Sequence, residues 1–226
     1  MSFKKFVQSH LSNGVNSALR QLRSESRILI LHRKSARKSK KLLRSLPIKL
    51  NCGSGPFPKP GWINVDFTDA ADLQLDLRER LPFPNSSVSF IYSEHFFEHL
   101  EHPNETGTFL SESLRVLIPG GQFRVGVPDT EWPLNDYVNG DDNHFQFVRG
   151  RCPGYCDTKM HTINYHFRQG SEHKYAYDYE TLAKVLSQAG FVKVERAEFD
   201  PGLDSEHRKI GTLYVKAFKG EVARLT

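Results

Sequence analysis

Three sets of residues in this chain have types and spacings that could do chemistry. The first is Leu50-Asn51-Cys52-Gly53-Ser54-Gly55. It follows an apolar stretch and carries Gly-x-Gly, where the missing Cβ atoms let backbone approach a ligand. Asp66 lies thirteen residues after Gly53. An acid that closes the next strand can accept hydrogen bonds from both hydroxyls of a ribose. A dinucleotide loop fits poorly, because it needs a glycine at position 58, which is Pro58, and an acid about 20 residues on. Pro56, Pro58 and Pro60 also leave no room for a crossover helix, so no helix N-terminus waits for a pyrophosphate. The second set is His95-x-x-Glu98-His99, the spacing of an inverted zinc-protease motif. It directly follows a strand and lacks the setting a hydrolase needs. The third set is Cys152 and Cys156 with His161 and His166, a permissive zinc spacing with a single Cys-x₃-Cys. Neither set is read as a metal site, and no metal is expected. No Gly-x-Ser-x-Gly elbow supports an acyl hydrolase.

The elements that must position these residues change character at Pro47. Residues 1–46 carry twelve Lys and Arg against the single acid Glu25, and residues 47–226 carry nineteen against twenty-five. The pI of 9.1 therefore belongs to an arm, and the body is mildly acidic. Phe3, Val7, Leu11, Val15, Leu19 and Leu22 recur at helical spacing, followed by Ile28–Leu31 and a basic run from Arg33 to Arg44. The arm reads as a helical pair whose apolar stripe packs on the body or on a second copy of the chain, giving a homo-oligomer. Its charge also offers a surface to an anionic membrane or to nucleic acid. We divide the chain into a basic helical arm, 1–46, and an α/β domain, 47–226.

Within the body, Ile48–Cys52, Trp62–Asp66, Val88–Ser93 and Gln122–Val127 read as strands, with Leu73–Leu77 a short extended piece. Glu94–Leu100, Thr106–Leu117 and Tyr179–Ala189 read as helices. Residues 128–175 read as irregular. Phe191–Phe199 and Ile210–Phe218 read as an antiparallel hairpin. Strands alternating with helices predict a mainly parallel sheet covered on both faces. The apolar fraction of 38% and charged fraction of 25% are globular values. The longest apolar run, Ile28–Leu31, is far short of the roughly 20 residues of a membrane span. The start lacks the apolar centre of a secretory signal, although its Arg- and Ser-rich, acid-poor character also fits a transit segment. Three cysteines cannot all pair within one chain. That points to a reducing, cytoplasmic compartment, at a membrane surface if the arm docks there.

Four segments together resemble the class I S-adenosylmethionine-dependent methyltransferases. They are LNCGSGPFPKPGWINVD (50–66), DLQLDLRERLPFPNSSVSFIYSEHFFEHL (72–100), FLSESLRVLIPGGQFRVGVPD (109–129) and YDYETLAKVLSQAGFVKVE (177–195). The likeness is greatest to a small branch with a glycine loop followed by GWINVD, and it covers residues 47 to about 218. It implies a Rossmann-like sheet, a shortened or missing helix between the first two strands, and S-adenosyl-L-methionine as cofactor. By resemblance, Asn51, Cys52, Gly53, Ser54 and Gly55 would wrap the methionine part of the cofactor. Asp66 would hold the ribose, Asp76 and Leu77 the adenine, and Ser93 and Glu94 would lie near the reactive methyl. Asn51 and Phe57 depart from the family's usual acid and glycine.

Orienting an acceptor supplies most of what methyl transfer needs, together with a general base where the acceptor carries a proton. His95, Glu98, His99, Asp129 and His173 are candidates, and His95 and Asp129 are preferred. The segment Tyr155–Tyr179 is the expected source of acceptor specificity. The acceptor is expected to be a small molecule or a glycan, the latter because the branch often accompanies surface-polysaccharide enzymes. Two other readings remain. One is a non-catalytic scaffold or tether working through its arm. The other is a nucleic-acid methyltransferase, disfavoured because residues 93–96 read Ser-Glu-His-Phe rather than an amino-methylating Asn/Asp-Pro-Pro-aromatic motif.

Overall fold

Six strands form one sheet in the order β2-β1-β3-β4-β6-β5 in the computed structural model, which describes residues 12–42 and 47–221. The strands are β1 (Ile48–Cys52), β2 (Ile63–Val65), β3 (Val88–Glu94), β4 (Leu117–Pro128), β5 (Phe191–Ala197) and β6 (Thr212–Lys219). β1 pairs in parallel with β2 and β3, and β3 with β4. β6 runs antiparallel to both β4 and β5. This is the mixed sheet that the class I methyltransferase resemblance implies. A single parallel bridge from Val65 to Leu73 is all that remains of a further edge strand. That is shorter than the expected Leu73–Leu77 piece.

The strands read as apolar runs because both faces are covered. Leu50, Val65, Ile91, Phe123, Val125 and Val215 are completely buried. The helix α2 (Asn104–Val116) contributes Phe109 and Leu110 to the same core. The chain crosses between β1 and β2 without a helix, as three prolines dictate.

The helix α6 (Tyr179–Ala189) matches the expected span at both ends. The carboxylate of Asp178 accepts from the Thr181 backbone N–H at its start, and Gly190 takes a left-handed conformation at its end. Residues 128–175 depart from expectation. They hold three helices: α3 (Glu131–Asn139), α4 (Asn143–Val148) and α5 (Lys159–Arg168). Each is too short to be stable alone and depends on tertiary packing. Glu94–Leu100 is not a helix either. His95 has a φ of 52°, and only Phe97–His99 forms a 3₁₀ turn.

The arm is one helix rather than a pair over the described residues: α1, Asn13–Leu42. Phe3, Val7 and Leu11 lie outside the described residues. Val15, Leu19 and Leu22, at 45%, 37% and 64% exposed, do not pack on the body. The helix docks instead through polar groups. Ser35 Oγ accepts from the Gln74 N–H, and His32 Nδ1 accepts from the Asp76 N–H. Ser39, fully buried, donates to the Pro82 carbonyl, and Lys38 donates to the Asp72 carbonyl. The helix therefore satisfies backbone groups of residues 72–82 that lack strand partners. No described helix is long and apolar enough to cross a membrane.

Candidate active site

The glycine loop turns immediately beyond β1 at the carboxyl end of the sheet, where open parallel sheets bind ligands. Gly53 and Gly55 have φ values of 71° and 52°. A Cβ on Gly53 would sit 2.3 Å from the Cβ of Phe96, so glycine is required there twice over. Asp66 ties the loop shut. Its Oδ2 accepts from the Gly55 N–H at 2.9 Å, and its Oδ1 accepts from the Thr68 N–H at 3.0 Å. A carboxylate has about four acceptor sites, so both oxygens keep capacity for hydroxyl donors.

Asn51 is buried, and its amide nitrogen donates to Asn64 Oδ1 at 2.9 Å. The residue lines a cavity of about 210 Å³ together with Gly53, Ser54, Gly55, Asp66, Glu94 and His95. Cys52 and Ser93 are correctly placed on their strands, but their side chains are wholly buried and line none of the cavities described here. Burial pushes the Cys52 thiol up to about 12, so it is an inert core group.

A second cavity of about 500 Å³ opens on the other side of Gly53. Asp66, Phe67, Leu75, Asp76 and Leu77 line it, and Gln21, Glu25 and Ile28 of α1 complete it. The arm is thus a wall of this cavity, which dividing the chain at Pro47 does not anticipate. Asp76 lines this cavity and also holds an arginine. Its Oδ1 accepts from the backbone N–H and Nε of Arg78, and its Oδ2 accepts from Arg78 Nη2. Arg78 in turn reaches Glu25 of the arm at 2.8 Å. Asp76 therefore orients an arginine that the sequence reading did not single out.

Glu94 closes the floor of the small cavity. It accepts from Ser205 Oγ, the Ser205 N–H and the Tyr214 hydroxyl. Burial favours its neutral form, yet these donors win and hold its carboxyl below the usual range. The loop bearing Ser205 is anchored by a buried ion pair. Arg124 donates to Asp204 through Nε and Nη2, and through Nη2 to the Glu198 carbonyl as well.

The other side of the site is aromatic and rich in histidine. A cavity of about 290 Å³ is lined by Pro128 and Gly211 at strand ends and by Trp132, His144, Phe147, Tyr165, His166 and His173. His95 lines both this cavity and the small one at the glycine loop. Its Nε2 shares a 2.8 Å hydrogen bond with Thr212 Oγ1. Asp129 lines none of these three cavities. Burial raises its carboxyl, and it accepts from the Glu131 N–H at the start of α3, a capping role. His144 and His166 are both lowered by burial, His166 to about 4.

Beside His95 lies Glu98, with its side chain 2% exposed and no hydrogen bond to either oxygen. Burial pushes it up to about 8. The helix required by the inverted zinc-protease motif is absent here, which removes that reading. The Cys152, Cys156, His161 and His166 set does not converge either. Among the described residues, the grouping of ligand atoms is Glu98, His99 and His173, which the sequence spacing does not reveal.

Residues 62–125 match the family model described as a methyltransferase domain. The matched stretch runs from the start of β2 into β4 and contains Asp66, Glu94 and His95. No curated protein matches the chain. Solved structures similar to it include a Haloferax volcanii complex between the Trm112 methyltransferase activator and a putative methyltransferase. That match has 15% identity and a TM-score of 0.47, and covers 88% of this chain and 96% of that one. A methyltransferase from Archaeoglobus fulgidus, described as dependent on S-adenosylmethionine, matches at 18% identity and TM-score 0.47, covering 81% and 90%. A Thermotoga maritima protein described as a possible histamine N-methyltransferase matches at 15% and 0.47, covering 89% and 96%.

Proposed function

From a chain that joins the class I methyltransferase fold to a methyltransferase-domain match, we propose an S-adenosylmethionine-dependent methyltransferase acting on a small-molecule acceptor. The observation that carries this reading is the position of His95. It lines the cavity at the glycine loop and also the aromatic cavity behind it, so one side chain faces both a donor site and an acceptor site.

The donor side suits the cofactor. Its 500 Å³ cavity lies within the roughly 300–1,000 Å³ typical of small-ligand sites. Asp66 would hold the ribose hydroxyls with its spare lone pairs. Leu75, Leu77 and Ile28 supply apolar walls for a ring, and Asn51 and Gly53–Gly55 would face the amino-acid end. When bound, the cofactor supplies an electrophilic methyl on sulfur. Everything else falls to the chain's own residues. Trp132, Phe147 and Tyr165 would orient a flat or ring-shaped acceptor. His95 would take the acceptor's proton, its ring held by Thr212. Asp129, which lines neither cavity, is left out of this scheme. The cavity's size favours a small molecule or a single sugar unit over a long polymer.

Calorimetric titration with S-adenosylhomocysteine tests the reading. Micromolar binding is expected, weakened at least tenfold in Asp66→Ala, a loss of about 1.4 kcal/mol. No heat and no thermal shift at millimolar ligand would contradict it and favour the scaffold alternative.

A further inference from the structure

Glu98 lies beside His95 and His99, its Oε1 3.5 Å and 3.9 Å from their ring nitrogens, and it has no hydrogen-bond partner. Its side chain is 2% exposed, and neither oxygen accepts a hydrogen bond. An isolated buried carboxylate is costly, so some cation or proton must offset it. Two histidines approach it with their lone pairs available. His99 Nδ1 lies 3.1 Å from the Glu172 carbonyl, and His173 Nδ1 lies 2.9 Å from the His166 carbonyl. A carbonyl only accepts, so each Nδ1 carries the proton and each neutral ring keeps its lone pair on Nε2. The Nε2 of His99 is 3.9 Å from Glu98 Oε1. One ligand atom from each of Glu98, His99 and His173 falls within 4.8 Å of the others.

This is the arrangement a transition metal uses. Metal-binding histidines commonly donate their other N–H to a backbone carbonyl, which fixes the ring and its tautomer. Two imidazoles and one carboxylate suit zinc-like divalent ions, and three protein ligands leave a position open. With bonds of about 2.1 Å, two ligands of a tetrahedral ion sit about 3.4 Å apart. The cluster, whose ligand atoms lie within 4.8 Å of one another, would have to draw in by up to about 1.4 Å. His99 and His173 are only partly buried, so side-chain adjustment can supply that. His95 Nδ1, 3.5 Å from Glu98 Oε1, stands next to the group.

We propose that Glu98, His99 and His173 bind a divalent transition-metal cation of the zinc type, with its open coordination position toward the acceptor cavity. That placement rests on the reading of the aromatic cavity as the acceptor site, which His173 also lines. An acceptor oxygen or nitrogen would occupy the open position and be oriented there. The sequence motif His95-x-x-Glu98-His99 supplies two of the ligands. It does so from a 3₁₀ turn, with the third arriving from the segment after α5.

The test uses full-length protein stripped with a chelator. Zn²⁺ and Mg²⁺ are titrated by calorimetry, and bound metal is counted by mass spectrometry. One Zn²⁺ per chain is expected, with no comparable heat from Mg²⁺. Affinity should fall at least tenfold in His99→Ala and in His173→Ala, with circular dichroism melts confirming that both fold. It should persist when Cys152→Ser and Cys156→Ser are combined. No Zn²⁺ binding, or binding indifferent to the two histidine variants, would overturn the inference and leave Glu98 neutralised by a proton. Loss in the cysteine variant would overturn it too. S-adenosylhomocysteine binding without zinc binding would sink the metal site and keep the donor site. Zinc binding without S-adenosylhomocysteine binding would do the reverse.

Discussion

The two sides of this site, proposed here to take the methyl donor and the acceptor, are built differently. The donor side is made of backbone and fixed charge: two left-handed glycines, Asp66 clasping its own loop, and Glu94 held by three donors. The acceptor side is made of aromatic and imidazole rings from α3, α4 and α5, joined by His95 and Gly211 at the strand ends. The first is rigid because its hydrogen bonds allow few alternatives. The second is a mainly apolar pocket in which His144 and His166 have ring nitrogens without hydrogen-bond partners. On the proposed function, the former would suit a common cofactor and the latter would select a particular acceptor.

The largest effect expected from breaking this contrast is at Asp204. Removing one partner of a buried ion pair leaves an uncompensated charge, so Asp204→Ala should lower unfolding stability by about 3–5 kcal/mol. Urea denaturation measures it. A loss below about 1 kcal/mol would show that the donor floor is not anchored by this pair. Next is Gly53→Ala. Its left-handed backbone costs roughly 1–2 kcal/mol for an L-residue, and the clash with Phe96 adds to that. S-adenosylhomocysteine binding should become undetectable at micromolar concentration, and retained binding would move the donor site away from this loop.

On the acceptor side the effects should appear with pH. Burial lowers the pKa of His144, with Asp136 opposing and His166 as its imidazole neighbour. The unfolded chain therefore binds the proton more readily. Stability should be full above the ordinary imidazole value of about 6.5 and fall as pH drops below it. Thermal melts between pH 7.5 and 5 should show this decline, less steeply in His144→Phe. A slope unchanged by that variant would remove His144 from the account. The smallest effect is at Glu25. Its ion pair with Arg78 is partly exposed on both sides and is worth at most about 1 kcal/mol. Glu25→Ala should change S-adenosylhomocysteine affinity less than about threefold, as calorimetry would show. A larger change would make the arm a recognition element rather than a wall.

The same contrast explains what the sequence made legible. Gly53, Gly55 and Asp66 were readable because left-handed turns and strand-end acids restrict residue type. α6 was readable from its periodicity and from Gly190 at its end. The hairpin of β5 and β6 showed as two apolar runs. The acceptor side was not readable, because α3 and α4 are short and α3 carries Pro133 in its first turn. The docking of the arm on the body was not readable for another reason. Val15, Leu19 and Leu22, the described part of its apolar stripe, stay exposed, while Ser35, Ser39 and His32 dock it by hydrogen bonds, a pattern that hydrophobic spacing does not encode. Glu98 and His99 are adjacent in sequence, but His173 joins them only through the turn after α5.

A crystal structure of the full chain with S-adenosylhomocysteine should show the ribose on Asp66, the adenine between Leu77 and Ile28 under α1, and the sulfur turned toward His95. A ligand seated elsewhere, or one with its sulfur turned away from the His95 and Tyr165 cavity, would contradict that placement.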